Sequence, residues 1–268
     1  MCPFPVRLAL CLAAACFGHT SAGAGVLLEE LSSPDVRDAI RAGHTTIIIP
    51  VGGTEQNGPH MALGKHNFRA TLLAERIAGE LGDALVAPVV AYVPEGRIDP
   101  PTAHMRYAGT ISIPDAAFKG LLEGAARSFA QHGFTTIVLL GDHGGYQSQL
   151  KAVADTLNRE WKGRKARALF LADYYGATQA PYIAALRRHG LSEEQIGSHA
   201  GAADTALSLA VDPTHVWREK MPASVGAARA SGVNGDARAA SAALGQLGVE
   251  LIVRQSVAAI RHATASGH

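Results

Sequence analysis

The chain has 268 residues, is 47% hydrophobic and 18% charged, and carries a formal net charge of +1. That length and apolar content suit one large domain with a substantial core, and the near-neutral balance excludes the basic footprint of a nucleic-acid-binding protein. So little charge fits an interior-heavy α/β protein, or an oligomer with buried faces.

Arg7 precedes an apolar run over residues 8–17, and small residues follow through Ser21, Ala22, Gly23 and Ala24. This pattern predicts a secretory signal peptide over residues 1–22, too short to span a bilayer, ahead of a single domain over residues 23–268. The expected location is periplasmic, without a stable membrane span. Lipidation at Cys16, after Ala13-Ala14-Ala15, is the alternative on a weaker match. Cys2, Cys11 and Cys16 all fall in this leader, so the expected mature domain has neither a disulfide framework nor a thiolate nucleophile. Any metal in it must be held by histidine and carboxylate.

Ser32 or Ser33 with Pro34 predicts a helix start, carried by Val36 and Ile40 to Gly43. Residues 45–50 form a β-branched apolar run, the pattern of a buried strand. The run breaks at Gly52-Gly53 and delivers Glu55, Asn57, His60 and His66 into a Gly/Pro-rich loop. A helix over 70–81 follows, stopping at Gly82, and then a valine-rich strand over 84–93. The loop 94–108 is long for a spacer, which marks it as functional. Its His104 and Arg106 are candidate contacts for an anionic substrate. A short strand is expected at 109–113, and a helix from Pro114-Asp115 to Gly133. Residues 134–140 are apolar and uninterrupted, as in a parallel strand covered on both faces. They end in Gly141-Asp142-His143-Gly144-Gly145-Tyr146. A helix over 147–161, a strand over 166–174, a helix over 203–209, a loop over 221–235 and an amphipathic helix over 237–263 complete the chain. Such alternation implies right-handed crossovers and a three-layer α/β sandwich with a mostly parallel central sheet.

Three loops hold the polar inventory: Glu55, Asn57, His60 and His66 in the first, Asp142 and His143 in the second, His199 and Asp204 in the third. There is no serine elbow, and the Gly-rich loops lack the Lys-Ser/Thr pair of a phosphate loop, which excludes the common nucleotide sites.

The segment Val51-Gly-Gly-Thr-Glu-Gln-Asn-Gly-Pro-His-Met-Ala-Leu-Gly resembles the creatininase (creatinine amidohydrolase) family signature G-S-x-E-Q-H-G-P-H-L-P-L-x-T-D. Gly141-Asp-His-Gly-Gly-Tyr is similar to N-G-H-G-G-N, Ala108-Gly-Thr-Ile-Ser to P-G-T-[IV]-S, and His199-Ala-Gly-Ala-Ala-Asp-Thr to H-A-G-x-x-E-T. The blocks occur in the family's order over roughly residues 27–260. The resemblance implies the family's α/β fold, metal-dependent hydrolysis of C–N amide bonds in small, often cyclic substrates, and a homo-oligomer, commonly a hexamer. Position by position it implies metal ligation by Glu55 and His143. His66 replaces an aspartate that bridges two metals, and Asn57 replaces a histidine ligand. Gly145 stands where creatininase itself has a glutamate ligand. Asp204 replaces the glutamate that assists proton transfer. Trp161 and Trp217 do not fall where creatininase places its aromatic lid, so creatinine itself is not the expected substrate.

An imidazole offers one lone pair to one metal, whereas a carboxylate can bridge two. The departures therefore predict one divalent ion held by Glu55, His66 and His143, with an open position. Zn2+ is the favoured ion, with Mn2+ and Fe2+ as alternatives. Asp204, or His199 beside it, is the expected catalytic proton acceptor. Asp142 either orients His143 or caps the helix after it. His60 is expected to fix the loop or meet substrate, and Asn57, Gly144, Gly145 and His104 are further supporting or substrate-contacting positions. Two other readings stay open: an Fe(II)-dependent isomerase or oxygenase on the His/His/Glu set, and a ligand-binding protein without catalysis on the same fold.

Overall fold

The computed structural model describes residues 25–265. The expected signal peptide, with Cys16 and the other two cysteines, lies outside the described residues.

The core is a four-stranded sheet in the order β2-β1-β3-β4, with β1 at Thr46–Val51, β2 at Ala84–Val86, β3 at Thr136–Gly141 and β4 at Arg167–Phe170. All pairings are parallel. Every residue of β1 and β3 is buried, because helices cover both faces of the sheet. Ile47, Ile49, Ile137 and Leu139 point to one side, where they meet α1 (Ser33–Arg41), α3 (Asp115–His132) and α4 (Gln147–Glu160). Ile48, Val138 and Leu140 point to the other, where α2 (Lys65–Leu81) lies. The alternation is the period-two pleat of a strand apolar on both faces. It completes the expected α/β sandwich.

The second face is thickened by α5 (Ala172–Thr178), α6 (Ala180–Arg188), α7 (Glu193–Ile196), α8 (Ala202–Val211) and α10 (Ala242–Ala265), whereas α9 (Val225–Ala230) packs Ala228 in a separate apolar cluster with Met61 and Val233. Among the described residues α10 alone has the length and apolarity of a membrane span. Its Val249, Ile252, Val253, Val257 and Ile260 instead form one buried stripe of the core. Gly245 in α10 lets the helix lie directly on α8, since a Cβ there would meet the Ala206 carbonyl at 1.8 Å.

Several boundaries differ from the sequence reading. The strand expected over 84–93 contracts to Ala84–Val86, since Pro88 has no N–H for the ladder. Residues 109–113 form no strand. Gly109 is in a turn, and the residues after it lie against the first loop, with Ile111 N–H donating to the Thr54 carbonyl at 2.9 Å. β4 ends at Phe170, which places Tyr174 on α5. α9 forms inside the stretch expected to be loop. The helix expected from residue 70 starts at Lys65, so His66 is helical rather than on the loop.

The register positions the site. Thr46 faces Thr136 and Val51 faces Gly141, so β1 and β3 end at one level and their following loops emerge side by side. That edge is the carboxyl end of a parallel sheet, where α/β proteins collect ligands.

Candidate active site

Glu55 is the centre. It is fully buried, and its two carboxylate oxygens face different neighbours. On the Oε1 side stand His66 Nε2 at 2.8 Å, Lys65 Nζ at 3.6 Å and His199 Nδ1 at 3.7 Å. On the Oε2 side stand His104 Nε2 at 3.1 Å and His143 Nε2 at 3.7 Å. Burial by itself would raise the Glu55 pKa, but the His66 hydrogen bond and the Lys65 charge hold it well below the usual carboxylate range.

A second buried carboxylate, Glu95, comes from the long loop after β2. It is 3% exposed, and neither of its oxygens has a hydrogen-bond partner. Gly53 makes room for it: a Cβ there would sit 2.8 Å from Glu95 Oε1, and the backbone is left-handed at φ +145°. Burial, then the neighbouring Glu55 charge, pushes Glu95 up to about 9. Burial likewise keeps the imidazoles neutral, with His143 down to about 3, His199 to about 4, and His104 also lowered.

Glu55, Glu95, His104 and His143 place one ligand atom each within 4.8 Å of one another. Two buried carboxylates with unpartnered oxygens, beside neutral imidazoles, fit a divalent cation by charge and by donor type. This cluster differs from the expected Glu55/His66/His143 set. His66 lies between two carboxylates, with Nδ1 at 2.6 Å from Asp142 Oδ2 and Nε2 on Glu55. Both its ring nitrogens face acceptors, and its ring lies edge-on to His143 with centroids 5.1 Å apart.

Asp142 therefore serves His66 rather than His143. It also accepts from Arg69 Nε at 2.8 and 3.0 Å and from the Tyr174 hydroxyl at 2.7 Å. Burial by itself would raise the Asp142 pKa, but the Arg69 charge together with the His66 and Tyr174 hydrogen bonds holds it below the ordinary carboxylate range. His143 is set by its own turn: Tyr146 accepts its N–H at 3.0 Å, and the Gly145 N–H donates to its Nδ1 at 3.3 Å. The Tyr146 hydroxyl lies 2.7 and 2.5 Å from the Val51 and Gly52 carbonyls, which ties this turn to the end of β1. Gly144 passes under Tyr175, where a Cβ would come within 2.5 Å of the hydroxyl oxygen.

Asp204 is committed elsewhere. It accepts from Lys65 Nζ and Arg69 Nη1, each at 3.1 Å, and from the Ala200 N–H at 2.9 Å. Although burial opposes ionisation, the two cations hold its pKa well below the ordinary range. A carboxylate so saturated is a weak base, which leaves His199 as the better proton acceptor of the expected pair. His60 packs Nε2 against Thr205 Oγ1 at 3.1 Å. Asn57 turns its amide nitrogen to the carbonyls of Glu55 and Ala62. Both support the loop. Arg106 is exposed and stands outside the lining of the cleft, whereas His104 is part of it.

The cleft beside this cluster has a volume of about 530 Å³ and is lined by Lys65, His104, His143, Tyr175, Tyr182 and His199, among others. Its size suits a small ligand. Sequence reasoning missed Glu95, Lys65, Arg69 and Gln56. The length of loop 94–108 was the available signal for Glu95. Lys65 and Arg69 lie four residues apart on the helix that carries His66, so extending that helix back by one turn would have found them.

A model of the family Creatininase, described as creatinine amidohydrolase, matches residues 29–260. The chain is 26% identical over 255 residues to a creatinine amidohydrolase of Pseudomonas putida, covering 88% of this chain and 96% of that one. It is 30% identical over 180 residues to a mycofactocin precursor peptide peptidase of Mycolicibacterium smegmatis, covering 65% of this chain but only 61% of the relative. A solved structure titled creatininase Mn superposes with a TM-score of 0.74 at 25% identity, covering 89% of this chain and 98% of that one.

Proposed function

The chain belongs to the creatininase family, and from that premise we propose that it is a metal-dependent hydrolase cleaving a C–N amide bond in a small, cyclic amide or lactam. The observation that carries this reading is the convergence of Glu55, Glu95, His104 and His143 beside a ligand-sized cleft that His104 and His143 line. Glu55 and His143, from the set expected on sequence, would hold the ion together with Glu95, whose oxygens are otherwise unpartnered. Three protein ligands with an open position are the composition of a catalytic zinc site, so Zn2+ is the proposed ion, with Mn2+ or Fe2+ as alternatives. When bound, such an ion polarises a carbonyl and acidifies water.

The chain's own groups would do the rest. His199, neutral and with Nδ1 turned toward Glu55, would take a proton from the attacking water and return it to the leaving nitrogen. Lys65 and Arg69 would fix Asp204 and, through it, the backbone at Ala200 beside His199. His66 would hold Glu55 in place as a wedge against Asp142. Export through the leader at residues 1–22 and assembly into a homo-oligomer belong to the same proposal. They rest on the sequence pattern and on the family resemblance.

The test is metal content per chain, on protein purified without chelator or added metal, followed by a screen of cyclic amides and lactones. One equivalent of zinc in wild type and in His66→Ala, lost in Glu95→Gln, is expected. Loss in His66→Ala with retention in Glu95→Gln would return the third ligand to His66. No metal in wild type, and no turnover after adding Zn2+, Mn2+ or Fe2+, would overturn the hydrolase reading.

A further inference from the structure

Gln56 joins two imidazoles that lie tilted against each other, and its hydrogen bonds assign the tautomer of each and turn the N–H of one and the lone pair of the other toward Glu55. The side-chain amide is oriented from both ends. Oε1 accepts the Gly58 N–H at 3.0 Å, and Nε2 donates to the Gly232 carbonyl at 3.0 Å. The second Nε2 hydrogen is directed to His104 Nδ1 at 3.3 Å. An amide nitrogen only donates, so His104 Nδ1 is the acceptor, and a neutral ring with its lone pair there carries its hydrogen on Nε2. That Nε2 lies 3.1 Å from Glu55 Oε2 but is not aligned for a hydrogen bond, since Oε2 has no partner. The N–H therefore faces the site uncommitted.

His199 carries the same tautomer in the opposite orientation, with Nδ1 rather than Nε2 toward Glu55. Its Nε2 lies 2.9 Å from the backbone carbonyl of Gln56, which only accepts, so the ring hydrogen sits on Nε2 and the lone pair on Nδ1. The approach of the same Nε2 to Gln56 Nε2 at 3.0 Å is then a contact between two donors, not a bond. His199 Nδ1 faces Glu55 Oε1, and the two rings lie 4.4 Å apart, centroid to centroid.

We propose that Gln56 is a positioning residue that makes His104 a hydrogen-bond donor to the substrate's carbonyl oxygen and His199 the proton acceptor, so that His104 is a catalytic group rather than a metal ligand. This rests on the hydrolase reading above. In the reaction, the water oxygen forms a bond to the carbonyl carbon while one water proton passes to His199 Nδ1. The negative charge on the former carbonyl oxygen is met by His104 Nε2–H, a fixed donor of the kind that stabilises an oxyanion. As the carbonyl re-forms, the C–N bond breaks with its electron pair going to nitrogen, and His199 Nδ1–H delivers the proton there. The products are a carboxylic acid and an amine, and His199 is neutral again.

The test is the 15N signature of the imidazoles at one fixed pH in metal-free wild type, with His104 assigned from the spectrum of His104→Gln. Both His104 and His199 are expected to carry hydrogen on Nε2. In Gln56→Glu the new carboxylate accepts from His104 Nδ1–H, so His104 is expected to change tautomer. In the holoprotein, His104→Phe is expected to keep its bound metal and to lose about 10²–10³-fold in kcat, with His104→Gln, which retains an N–H donor, losing less. Loss of metal from both His104 variants, with folding retained by circular dichroism, would make His104 a ligand and overturn the proposal. So would a wild-type His104 with hydrogen on Nδ1. If the tautomers are as stated but no amide is hydrolysed by wild type, the hydrolase reading fails and the assignment by Gln56 stands.

Discussion

Replacing Glu95 by glutamine should have opposite consequences in the metal-free and metal-loaded protein. Without metal, Glu95 is a buried carboxyl without hydrogen-bond partners beside ionised Glu55, and it is pushed up to about 9. In the unfolded chain its pKa returns to about 4.3. A carboxyl raised on folding stabilises the native state fully below its unfolded pKa and loses that contribution as pH rises toward the folded value. Between those limits the loss is about 1.36 kcal/mol per pH unit. Glutamine at 95 cannot ionise, so the variant should gain roughly 2.7 kcal/mol on wild type between pH 6 and pH 8, or about 5–11 °C in Tm for a domain of this size. With metal the order reverses. Loss even of a group supporting a ligand costs about 10–100-fold in metal affinity, and loss of a ligand should cost more. The assay is urea denaturation of chelator-treated protein at pH 6, 7 and 8, with metal titration of the same samples. A stability difference between variant and wild type that stays flat across this window would mean that Glu95 is already ionised in the native state. Unchanged metal affinity would remove it from the metal centre.

Arg69→Met should destabilise the protein by about 3–5 kcal/mol, because it leaves Asp142 and Asp204 without the buried cation they share; a loss below 1 kcal/mol in urea denaturation would contradict the pairing. Tyr146→Phe removes the hydroxyl between the Val51 and Gly52 carbonyls and the His143 N–H, and should cost about 1–3 kcal/mol. Gly145→Ala places a Cβ 2.9 Å from His143 Cε1. The ring must shift, so metal affinity should fall while Tm of the metal-free protein changes little. A variant that binds metal like wild type would show that His143 is not a ligand in its present orientation.

The central strands, their parallel arrangement and the loops that leave them are legible in the sequence because their cause is local. Thr46–Val51 and Thr136–Gly141 are uninterrupted apolar runs, and a run of that kind can be satisfied only by a sheet covered on both faces. Glu55, His143 and His199 are legible for a related reason, since each follows a break that ends a strand or opens a helix. Lys65, His66 and Arg69 are polar side chains on the buried face of a helix, and a pattern built on apolar spacing ends the helix before reaching them. Only the folded chain supplies the countercharges of Asp142 and Asp204 that make such a face stable. The partition of Glu55 between two sides is likewise tertiary. His66 and His104 reach opposite oxygens of one carboxylate, a distinction that depends on how α2 and the long loop pack and has no trace in spacing. Glu95 arrives from a loop whose path is set by Gly53 and by Pro88 ending β2 early. Residue type and order were enough to single out Glu55, His143 and His199, which the fold brings together in the candidate site. The choice of which imidazole donates, which accepts and which is wedged between carboxylates required contacts between segments far apart in the chain, because a proton on a ring nitrogen is placed by its neighbour in space.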